Sequence, residues 1–458
     1  MDSSFFGRQH LAVLLALFLP LLSACASYGK ISNEPIIAED ESPGRYSITQ
    51  AVHSGRSDEA TMILAFSGGG TRAAALAYGV LQALRDTRIE LGGQSQRLLD
   101  EIDTISSVSG GSFTAAYFGL YGDKIFTDFE KDFLRRNISA ELMQGLLDPA
   151  MLLSERGRTE MAANYYDGSV FKGATFADLQ QGDGPLIVIN ATDLGRGVRF
   201  SFLQDYFDLL CSDLSSFPIA SAVTASSAVP VLFHPLVLEN RKGCGDRAPT
   251  FLTDLQTGAN RSPQLAHVVD GLNSYALKDQ RRYIHLVDGG ITDNLGLLAI
   301  YEMIELAGGA RNLLGSLGGV PGRRFIVISV NASTSPQYGM ELSKAPPSMA
   351  DTVNLVTDVQ LHRTNAATMA LMQSSIKRWA AELSTPGQAV ESYFVDIDFK
   401  NVPQAQRKLF LNQIPTSFSL KEAQVDELIA AGRELLLSNQ EFQRFIRDLG
   451  GSQPAPAR

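Results

Sequence analysis

Short apolar runs alternate with longer segments rich in Ala and Leu through most of the chain. The runs are too short for ordinary helices, and several end at glycine, so they predict buried strands. These strands are expected at residues 62–66, 102–108, 185–191, 283–287 and 324–330, with another at 199–203 beside the third. Segments 73–84 and 113–121 predict helices. Nearly continuous apolar strands that alternate with helices indicate a mostly parallel sheet covered on both faces.

The pattern changes after residue 332. We expect one or two helices over 349–384, a late strand within 391–399, and one long amphipathic helix over 420–449. The sequence therefore predicts an α/β domain followed by a mainly helical C-terminal extension. The predicted divisions are 58–335 for the domain, 336–450 for the extension and 451–458 for a disordered tail.

The N-terminus has the pattern of an export signal. A single basic residue, Arg8, precedes an apolar run at 11–22 that is too short to span a bilayer. The run ends in LSAC, which resembles a bacterial lipoprotein box, so we expect cleavage before Cys25 and a lipid on Cys25. Ala26 after the cysteine favours the outer membrane under enterobacterial sorting rules. The alternative is an ordinary signal peptide with an incidental cysteine. The signal is assigned to 1–24 and a polar tether to 25–57.

Composition narrows the class of protein. The 458 residues are 45% hydrophobic, which is ample for a large core. The net charge of −10 excludes a basic nucleic-acid footprint, so no nucleic-acid partner is expected. If Cys25 is acylated, only Cys211 and Cys244 remain, and in an oxidising compartment they can form one disulfide or stay unpaired. No CxxC or Cys/His cluster suggests a metal, and no cofactor is expected.

Two glycine turns carry the candidate chemistry. SGGGTR at 67–72 and SVSGGS at 107–112 each follow a predicted strand and open a predicted helix. The first can present bare N–H groups to an anion. A nucleotide phosphate is the alternative ligand. However, the Gly-Lys-Ser/Thr of a P-loop does not follow, and the glycines do not have the G-x-G-x-x-G spacing. The second can expose Ser109 as a nucleophile, unless it merely caps a helix. A nucleophile and an anion hole are what acyl transfer needs.

Asp288 is the candidate base. It ends the apolar strand IHLVD and precedes Gly289 and Gly290. A carboxylate at a strand's end faces the ligand crevice of a doubly wound sheet, although aspartate before glycine is also common in turns. A Ser–Asp–His triad is the alternative, but His362, the only histidine after Asp288, lies in a predicted helix.

Four blocks together resemble the patatin-like phospholipases. They are SGGGTR at 67–72, VSGG at 108–111, ASSAVP at 225–230 with Phe233 and Pro235, and DGG at 288–290. The segment ATDL at 191–194, with Gly197, is also similar to that family, and the resemblance covers about residues 60–330. The departure is Ser107, where the family usually has glycine, so close packing at that position is in question.

The resemblance implies a three-layer α/β/α patatin-like fold and a catalytic dyad of Ser109 and Asp288 without histidine. Backbone N–H groups of Gly68, Gly69 and Gly70 would form the oxyanion hole. Arg72 would brace this loop rather than bind substrate, with contact to a lipid phosphate as the alternative.

The implied function is hydrolysis of lipid acyl esters, of phospholipase A or lysophospholipase type. The implied partner is a membrane lipid, reached by an enzyme anchored through Cys25 on the periplasmic face of the outer membrane. One alternative is an acyltransferase or non-lipid esterase that uses the same dyad. Another is a non-catalytic lipid-binding lipoprotein of the envelope.

Overall fold

The computed structural model describes residues 33–36, 45–48, 56–57, 59–146, 157–230, 232–244, 262–335 and 344–451. The predicted signal peptide, Cys25, most of the tether and nearly all of the predicted tail lie outside the described residues. Within the described part, no helix combines the length and the apolar character needed to cross a bilayer.

Strands and helices alternate as the apolar pattern predicts. The strands are β1 Glu34–Pro35, β2 Ala60–Phe66, β3 Arg88–Leu91, β4 Gln94–Arg97, β5 Thr104–Val108, β6 Leu186–Asp193, β7 Val198–Ser201, β8 Ser212–Asp213, β9 Leu236–Glu239, β10 Tyr283–Asp288, β11 Arg324–Asn331 and β12 Glu391–Asp398. The helices are α1 Gly70–Asp86, α2 Gly110–Tyr121, α3 Ile125–Phe129, α4 Ile138–Leu146, α5 Arg158–Tyr166, α6 Phe176–Gln181, α7 Gln204–Leu209, α8 Ile219–Ser226, α9 Pro263–Asn273, α10 Gly290–Asp293, α11 Leu297–Leu306, α12 Ala310–Ser316, α13 Met349–Leu383, α14 Ala405–Asn412, α15 Glu422–Ser438 and α16 Gln440–Asp448.

The main sheet is mostly parallel, which confirms the predicted fold class. Strands β12, β11, β2, β5 and β6 lie side by side in parallel, and β7, β10 and β9 add antiparallel pairs. Every residue of β5 and β6 is buried. Such strands have no solvent face, so apolar and polar residues need not alternate along them. Strand β6 begins with the apolar run LIVI, and the buried hydroxyls of Ser106 and Ser107 in β5 donate to the carbonyls of Gly296 and Val188.

Helices cover both faces of the sheet. Phe325 of β11 packs edge-on against Trp379 of α13. Tyr393 of β12 is in register with Ile326, the next residue of β11, and packs against Phe445 of α16. Because successive side chains of a strand point to opposite faces, α13 and α16 lie on opposite sides of the sheet. This is the predicted three-layer arrangement.

Strands β5, β7 and β10 all pair with β6, and their arrangement brings the ends of β5 and β10 together. Asn190 pairs with both Val108 of β5 and Ser201 of β7, and Ala191 pairs with both Phe200 of β7 and Asp288 of β10. Since a strand has only two edges, β7 occupies one edge of β6. Strands β5 and β10 therefore share the other edge, end to end, with their C-terminal residues facing each other.

The C-terminal extension belongs to the same core as the α/β domain. Strand β12 is the outer strand of the main sheet beside β11, and α15 packs along α1. The single helix predicted over 420–449 is wrong: Asn439 has an extended backbone between α15 and α16, and its side chain accepts the N–H groups of Glu441 and Phe442. An asparagine that caps a new helix in this way ends the preceding one. The segment 349–384 forms one helix, α13.

A disulfide joins Cys211 to Cys244, whose Cα atoms lie 5.3 Å apart. Cys211 follows α7 with a positive φ of 52°, and Cys244 ends the described segment after β9. The bond therefore ties the α7 turn to the loop that leaves β9.

Candidate active site

Ser109 occupies a strained turn between β5 and α2. Its φ of 50° and ψ of −123° lie in a region that residues with a side chain rarely adopt. The Ser109 N–H donates to Ser226 Oγ at 2.8 Å, and Ser226 Oγ donates to the carbonyl of Asn190 at 2.6 Å. These two bonds hold the turn against β6. The residue thus lies in a sharp turn between a strand and a helix, which is the local geometry of a nucleophile elbow.

Ser109 and Asp288 are joined by a hydrogen bond. Ser109 Oγ donates to Asp288 Oδ2 at 2.9 Å, and Asp288 Oδ1 accepts the N–H of Gly290 at 2.8 Å. The end-to-end strands β5 and β10 bring the two residues together. A Cβ on Gly289 would lie 2.3 Å from the Asn190 carbonyl oxygen, so only glycine allows β10 to end this close to β6.

Burial raises the pKa of Asp288 to about 6, although hydrogen bonds from Gly290 and Ser109 oppose the rise. The side chain lies in a site from which water is largely excluded, and this disfavours the charged form. At neutral pH the carboxylate remains mostly ionised and is a better proton acceptor than an exposed aspartate. This is the property that a general base requires.

The glycine loop offers two free donors rather than three. The Gly68 N–H donates to the carbonyl oxygen of Asn294 at 2.9 Å and is therefore occupied, unlike the prediction. Among the described residues, nothing accepts a hydrogen bond from the N–H of Gly69 or Gly70. Both have positive φ, 138° and 59°. Gly69 and Gly70 are thus the loop residues whose N–H groups can meet an anion.

Glycine is still required at position 68, for space. A Cβ there would lie 2.8 Å from Asn294 Oδ1 and 3.3 Å from Ser109 Cβ. The two turns also touch directly, because a Cβ on Gly110 would lie 2.0 Å from the carbonyl oxygen of Gly70. Close backbone contact therefore fixes the loop beside Ser109.

Arg72 makes bracing contacts. Its guanidinium donates to the carbonyl of Ala332 at 2.8 Å, to that of Ile414 at 2.6 Å and to Thr416 Oγ1 at 3.0 Å. Burial lowers its pKa to about 10, so it remains charged at neutral pH. The side chain ties the start of α1 to the end of β11 and to the C-terminal extension. With these partners and an exposed fraction of 4%, the side chain faces protein atoms.

Ser107, the departure from the family motif, fits within the sheet. It is fully buried between Phe66 of β2 and Ile189 of β6, and its hydroxyl donates to the carbonyl of Val188 at 3.2 Å. Close packing of α2 against the end of β2 is made instead at Gly111, where a Cβ would lie 2.7 Å from the carbonyl oxygen of Ser67. A serine at 107 therefore leaves the elbow intact.

Sequence reasoning missed a buried polar network beneath the elbow. Asn190 Nδ2 donates to Ser106 Oγ at 3.0 Å, and Asn190 Oδ1 accepts from Ser201 Oγ at 2.5 Å. Arg199 and Glu302 form a buried ion pair at 2.8 Å beside them. A single asparagine inside an otherwise apolar strand was the available signal, because a buried amide must find partners.

Among the residues that the structure describes, histidine takes no part in this arrangement. Both carboxylate oxygens of Asp288 are occupied by Ser109 and Gly290, and His362 lies on α13. In the described residues, no hydrogen bond joins a histidine to Ser109 or Asp288. The same part of the chain contains no group of three His, Cys, Asp or Glu side chains that could hold a metal.

Comparison with known proteins assigns the chain to a class. A family model described as patatin-like phospholipase matches residues 64–301, just over half of the chain. The chain therefore belongs to the patatin-like phospholipase family, which confirms the resemblance of its motifs. Membership of this family supports a lipid hydrolase. No curated protein matches the sequence.

Among solved structures, human GIVD cytosolic phospholipase A2 matches with a TM-score of 0.45 and 13% identity, over 88% of this chain and 64% of that one. The same human enzyme in complex with methyl gamma-linolenyl fluorophosphonate matches with a TM-score of 0.37 and 14% identity, over 86% of this chain and 59% of that one. The chain thus spans less than two thirds of the length of these structures.

Proposed function

We propose that this protein hydrolyses lipid acyl esters, as a phospholipase A or lysophospholipase, with Ser109 as nucleophile and Asp288 as base. The observation that carries the proposal is the 2.9 Å hydrogen bond from Ser109 Oγ to Asp288 Oδ2, beside a glycine loop with two unbonded N–H groups. A serine hydroxyl becomes nucleophilic only when a base takes its proton, and Asp288 is the group in contact with it.

The first half-reaction forms an acyl-enzyme. Ser109 Oγ attacks the ester carbonyl carbon as its proton passes to Asp288. The carbonyl oxygen becomes an oxyanion, which accepts hydrogen bonds from the N–H groups of Gly69 and Gly70. When the tetrahedral intermediate collapses, the bond to the alcohol oxygen breaks and Asp288 returns the proton to the leaving alcohol.

The second half-reaction releases the fatty acid. A water molecule gives its proton to Asp288 and attacks the acyl carbon. The same N–H groups stabilise the second oxyanion, and collapse breaks the bond to Ser109 Oγ, which regains the proton. Asp288 serves both steps because its other oxygen remains fixed by the Gly290 N–H.

Variants at the two dyad positions test this mechanism. We expect Ser109→Ala and Asp288→Asn each to lower kcat by at least about a thousandfold while the fold is retained. Hydrolysis of a short-chain phospholipid measures activity, and a fluorophosphonate probe should label the wild type but not Ser109→Ala. His285→Ala, an exposed change on the same strand as Asp288, should keep full activity. Full activity in either dyad variant would rule out the dyad.

The products separate this function from its alternatives. An acyltransferase would give mainly transfer product when an alcohol acceptor is added, whereas a hydrolase releases free fatty acid. A non-catalytic lipid-binding protein would release neither and would leave Ser109 unlabelled by the fluorophosphonate.

We also propose that the protein is lipid-anchored through Cys25 on the periplasmic face of the outer membrane. The LSAC segment and Ala26 support this location. Cys25→Ser should move the protein from the membrane fraction to the soluble periplasmic fraction. Continued membrane association of that variant would contradict the anchor.

A further inference from the structure

The segment ASSAVP at 225–230 contacts both residues of the proposed dyad, although none of its groups enters the proposed reaction. It comprises the end of α8 and the turn that follows. Ser226 and Ala228 are fully buried there. Buried polar groups need hydrogen-bond partners, and the partners of this segment include the backbone N–H groups of Ser109 and Asp288.

The Ser226 hydroxyl holds the turn that carries Ser109. It accepts the Ser109 N–H at 2.8 Å and donates to the Asn190 carbonyl at 2.6 Å. A hydroxyl has one proton to donate, so the 3.1 Å contact between the hydroxyls of Ser226 and Ser112 is a bond that Ser112 donates. Ser226 therefore accepts two hydrogen bonds from the turn 109–112 and donates one to β6.

This support matters because the Ser109 backbone is strained. Its φ of 50° and ψ of −123° persist only where the surrounding structure holds them. Without the Ser226 hydroxyl, the Ser109 N–H would be buried without its acceptor, and the turn could relax. Relaxation would move Ser109 Oγ relative to Asp288 and to the N–H groups of Gly69 and Gly70.

The backbone of the same segment holds the base. The Ala228 carbonyl accepts the Asp288 N–H at 3.0 Å, and the Ser226 carbonyl accepts the Gly289 N–H at 3.1 Å. Ser226 thus bonds the nucleophile turn through its side chain and the end of β10 through its main chain. A single residue connects the two halves of the dyad.

We infer that Ser226 is a positioning residue of the reaction, which sets the place of Ser109 Oγ relative to Asp288 and to the glycine loop. The inference rests on the proposed dyad and adds a residue to it. It also specifies the oxyanion donors, because the Ser109 N–H is bonded to Ser226 and the N–H groups of Gly69 and Gly70 remain.

Steady-state kinetics on two variants test this role. Ser226→Ala removes the acceptor, and Ser226→Cys keeps a side chain of similar size but offers only a weak acceptor. On a soluble short-chain phospholipid, each should lower kcat by about ten- to a hundredfold and change KM by less than about twofold, since misplacement of the nucleophile slows the chemical step. The rate of labelling by a fluorophosphonate should fall by a similar factor, because the probe depends on the same attack by Ser109.

Ser227→Ala is the matched control. Ser227 is a neighbouring serine that is also buried, but its hydroxyl donates to the Val223 carbonyl at 2.7 Å, within the same helical segment. This variant should keep the kcat of the wild type. Titration with the fluorophosphonate gives the concentration of active sites, so that loss of folded protein does not count as a fall in kcat. Unchanged kcat per site in Ser226→Ala, or an equal fall in Ser227→Ala, would overturn the inference.

Hydrogen exchange separates this inference from the catalytic proposal, because it requires no turnover. In Ser226→Ala, peptides that contain the 107–112 turn should exchange the Ser109 amide about tenfold faster than in the wild type, whereas Ser227→Ala should leave its exchange unchanged. Mass spectrometry measures both. If the wild type neither hydrolyses the ester nor reacts with the probe, the catalytic proposal fails, and this exchange still decides whether Ser226 holds the turn. Equal exchange in the two variants would overturn its positioning role.

Discussion

In the proposed mechanism Asp288 must be charged to act as a base, and yet it is buried. Its carboxylate receives one hydrogen bond from Ser109 and one from Gly290, and burial still raises its pKa to about 6. A lower pKa would make it a weaker base, and a much higher one would leave it protonated at neutral pH. The balance between burial and two hydrogen bonds therefore sets the pH range in which the dyad works.

The pH dependence of hydrolysis follows from this value. Because the base must be ionised, kcat/KM should be constant above about pH 7 and fall about tenfold per pH unit below about pH 6. A pH profile with a soluble short-chain ester measures this fall in kcat/KM at acid pH. The fall should persist in His285→Ala, since the titrating group is a carboxylate. A flat profile between about pH 5 and 8 would contradict the assignment of Asp288 as base.

Strand β6 acts as the common support of Ser109 and Asp288, the two residues of the proposed dyad. Strand β5 pairs with its first part, β10 pairs with its last part on the same edge, and the dyad forms where the two strands meet. We expected Asp288 at the carboxyl edge of a parallel sheet, whereas β10 is antiparallel. The residue reaches Ser109 because β6 extends beyond the end of β5 and leaves an edge for β10 to occupy.

Helices α1 and α15 pack through a reciprocal pair of glycines. A Cβ on Gly79 of α1 would lie 2.1 Å from the carbonyl oxygen of Ile429, and a Cβ on Gly432 of α15 would lie 2.2 Å from that of Leu76. The two backbones are therefore in direct contact. Since the glycine loop leads into α1, this contact also fixes the position of that loop.

Gly432→Ala should separate these helices and destabilise the protein by about 1–3 kcal/mol, because the backbone of α1 cannot yield as a flexible side chain would. Gly315→Ala is the matched control, because Gly315 lies in α12 and a new Cβ there would have no atom within 4 Å. This change should stabilise the protein by about 0.5–1 kcal/mol, since alanine has the higher helix propensity. Urea denaturation measures both. Unchanged stability in Gly432→Ala would show that the contact is not tight.

At the scale of the whole molecule, the C-terminal extension contacts the candidate active site. Besides supplying β12, it holds the start of α1 next to the glycine loop: the Thr71 N–H donates to the Ser417 carbonyl at 2.9 Å, and Arg72 donates to the Ile414 carbonyl and to Thr416 Oγ1. The predicted boundary at 335 separates two stretches of sequence. In the folded chain these stretches share one sheet and one site.

Buried carboxylates should make the folded protein less stable as pH rises. Burial raises the pKa of Asp103 to about 7 and those of Asp205, Asp288 and Asp293 to about 6. In the unfolded chain the pKa of these carboxyl groups is near 4, so between about pH 4 and 7 the folded state binds more protons than the unfolded state. Their contribution to the free energy of unfolding is therefore complete below about pH 4 and is lost as the pH rises to about 7. Asp86 and Glu141 have lowered pKa values, so the stability that they contribute is lost only when the pH falls below about 4.

Thermal denaturation should therefore give a higher Tm at pH 5 than at pH 7.5. Asp288→Asn removes one of these carboxylates and should be more stable than the wild type at pH 7.5, by about 1–3 kcal/mol, with a smaller difference at pH 5. Asp270→Asn, at an exposed position, serves as the control and should follow the wild type. A Tm that rises from pH 5 to 7.5 would contradict the expected net proton uptake on folding.

Sequence alone determined seven of the eight strands of the main sheet, the two glycine turns and the family, because each depends on local chemistry, whereas β9 and the short strands outside that sheet were not predicted. Apolar runs specify buried strands, and glycines at 68–70 and 110–111 specify turns in which backbones touch. The sequence also singled out Ser109 and Asp288, since both follow strands and precede glycines.

Tertiary structure decided what depends on partners distant in the chain. The Asn294 carbonyl occupies the N–H of Gly68 and leaves Gly69 and Gly70 as donors. Sharing of one edge of β6 by β5 and β10 fixed the Ser109–Asp288 distance, and the 414–417 segment determined what Arg72 contacts. Such facts are absent from a linear pattern because a hydrogen bond or a close approach between remote segments depends on register and packing of the whole chain.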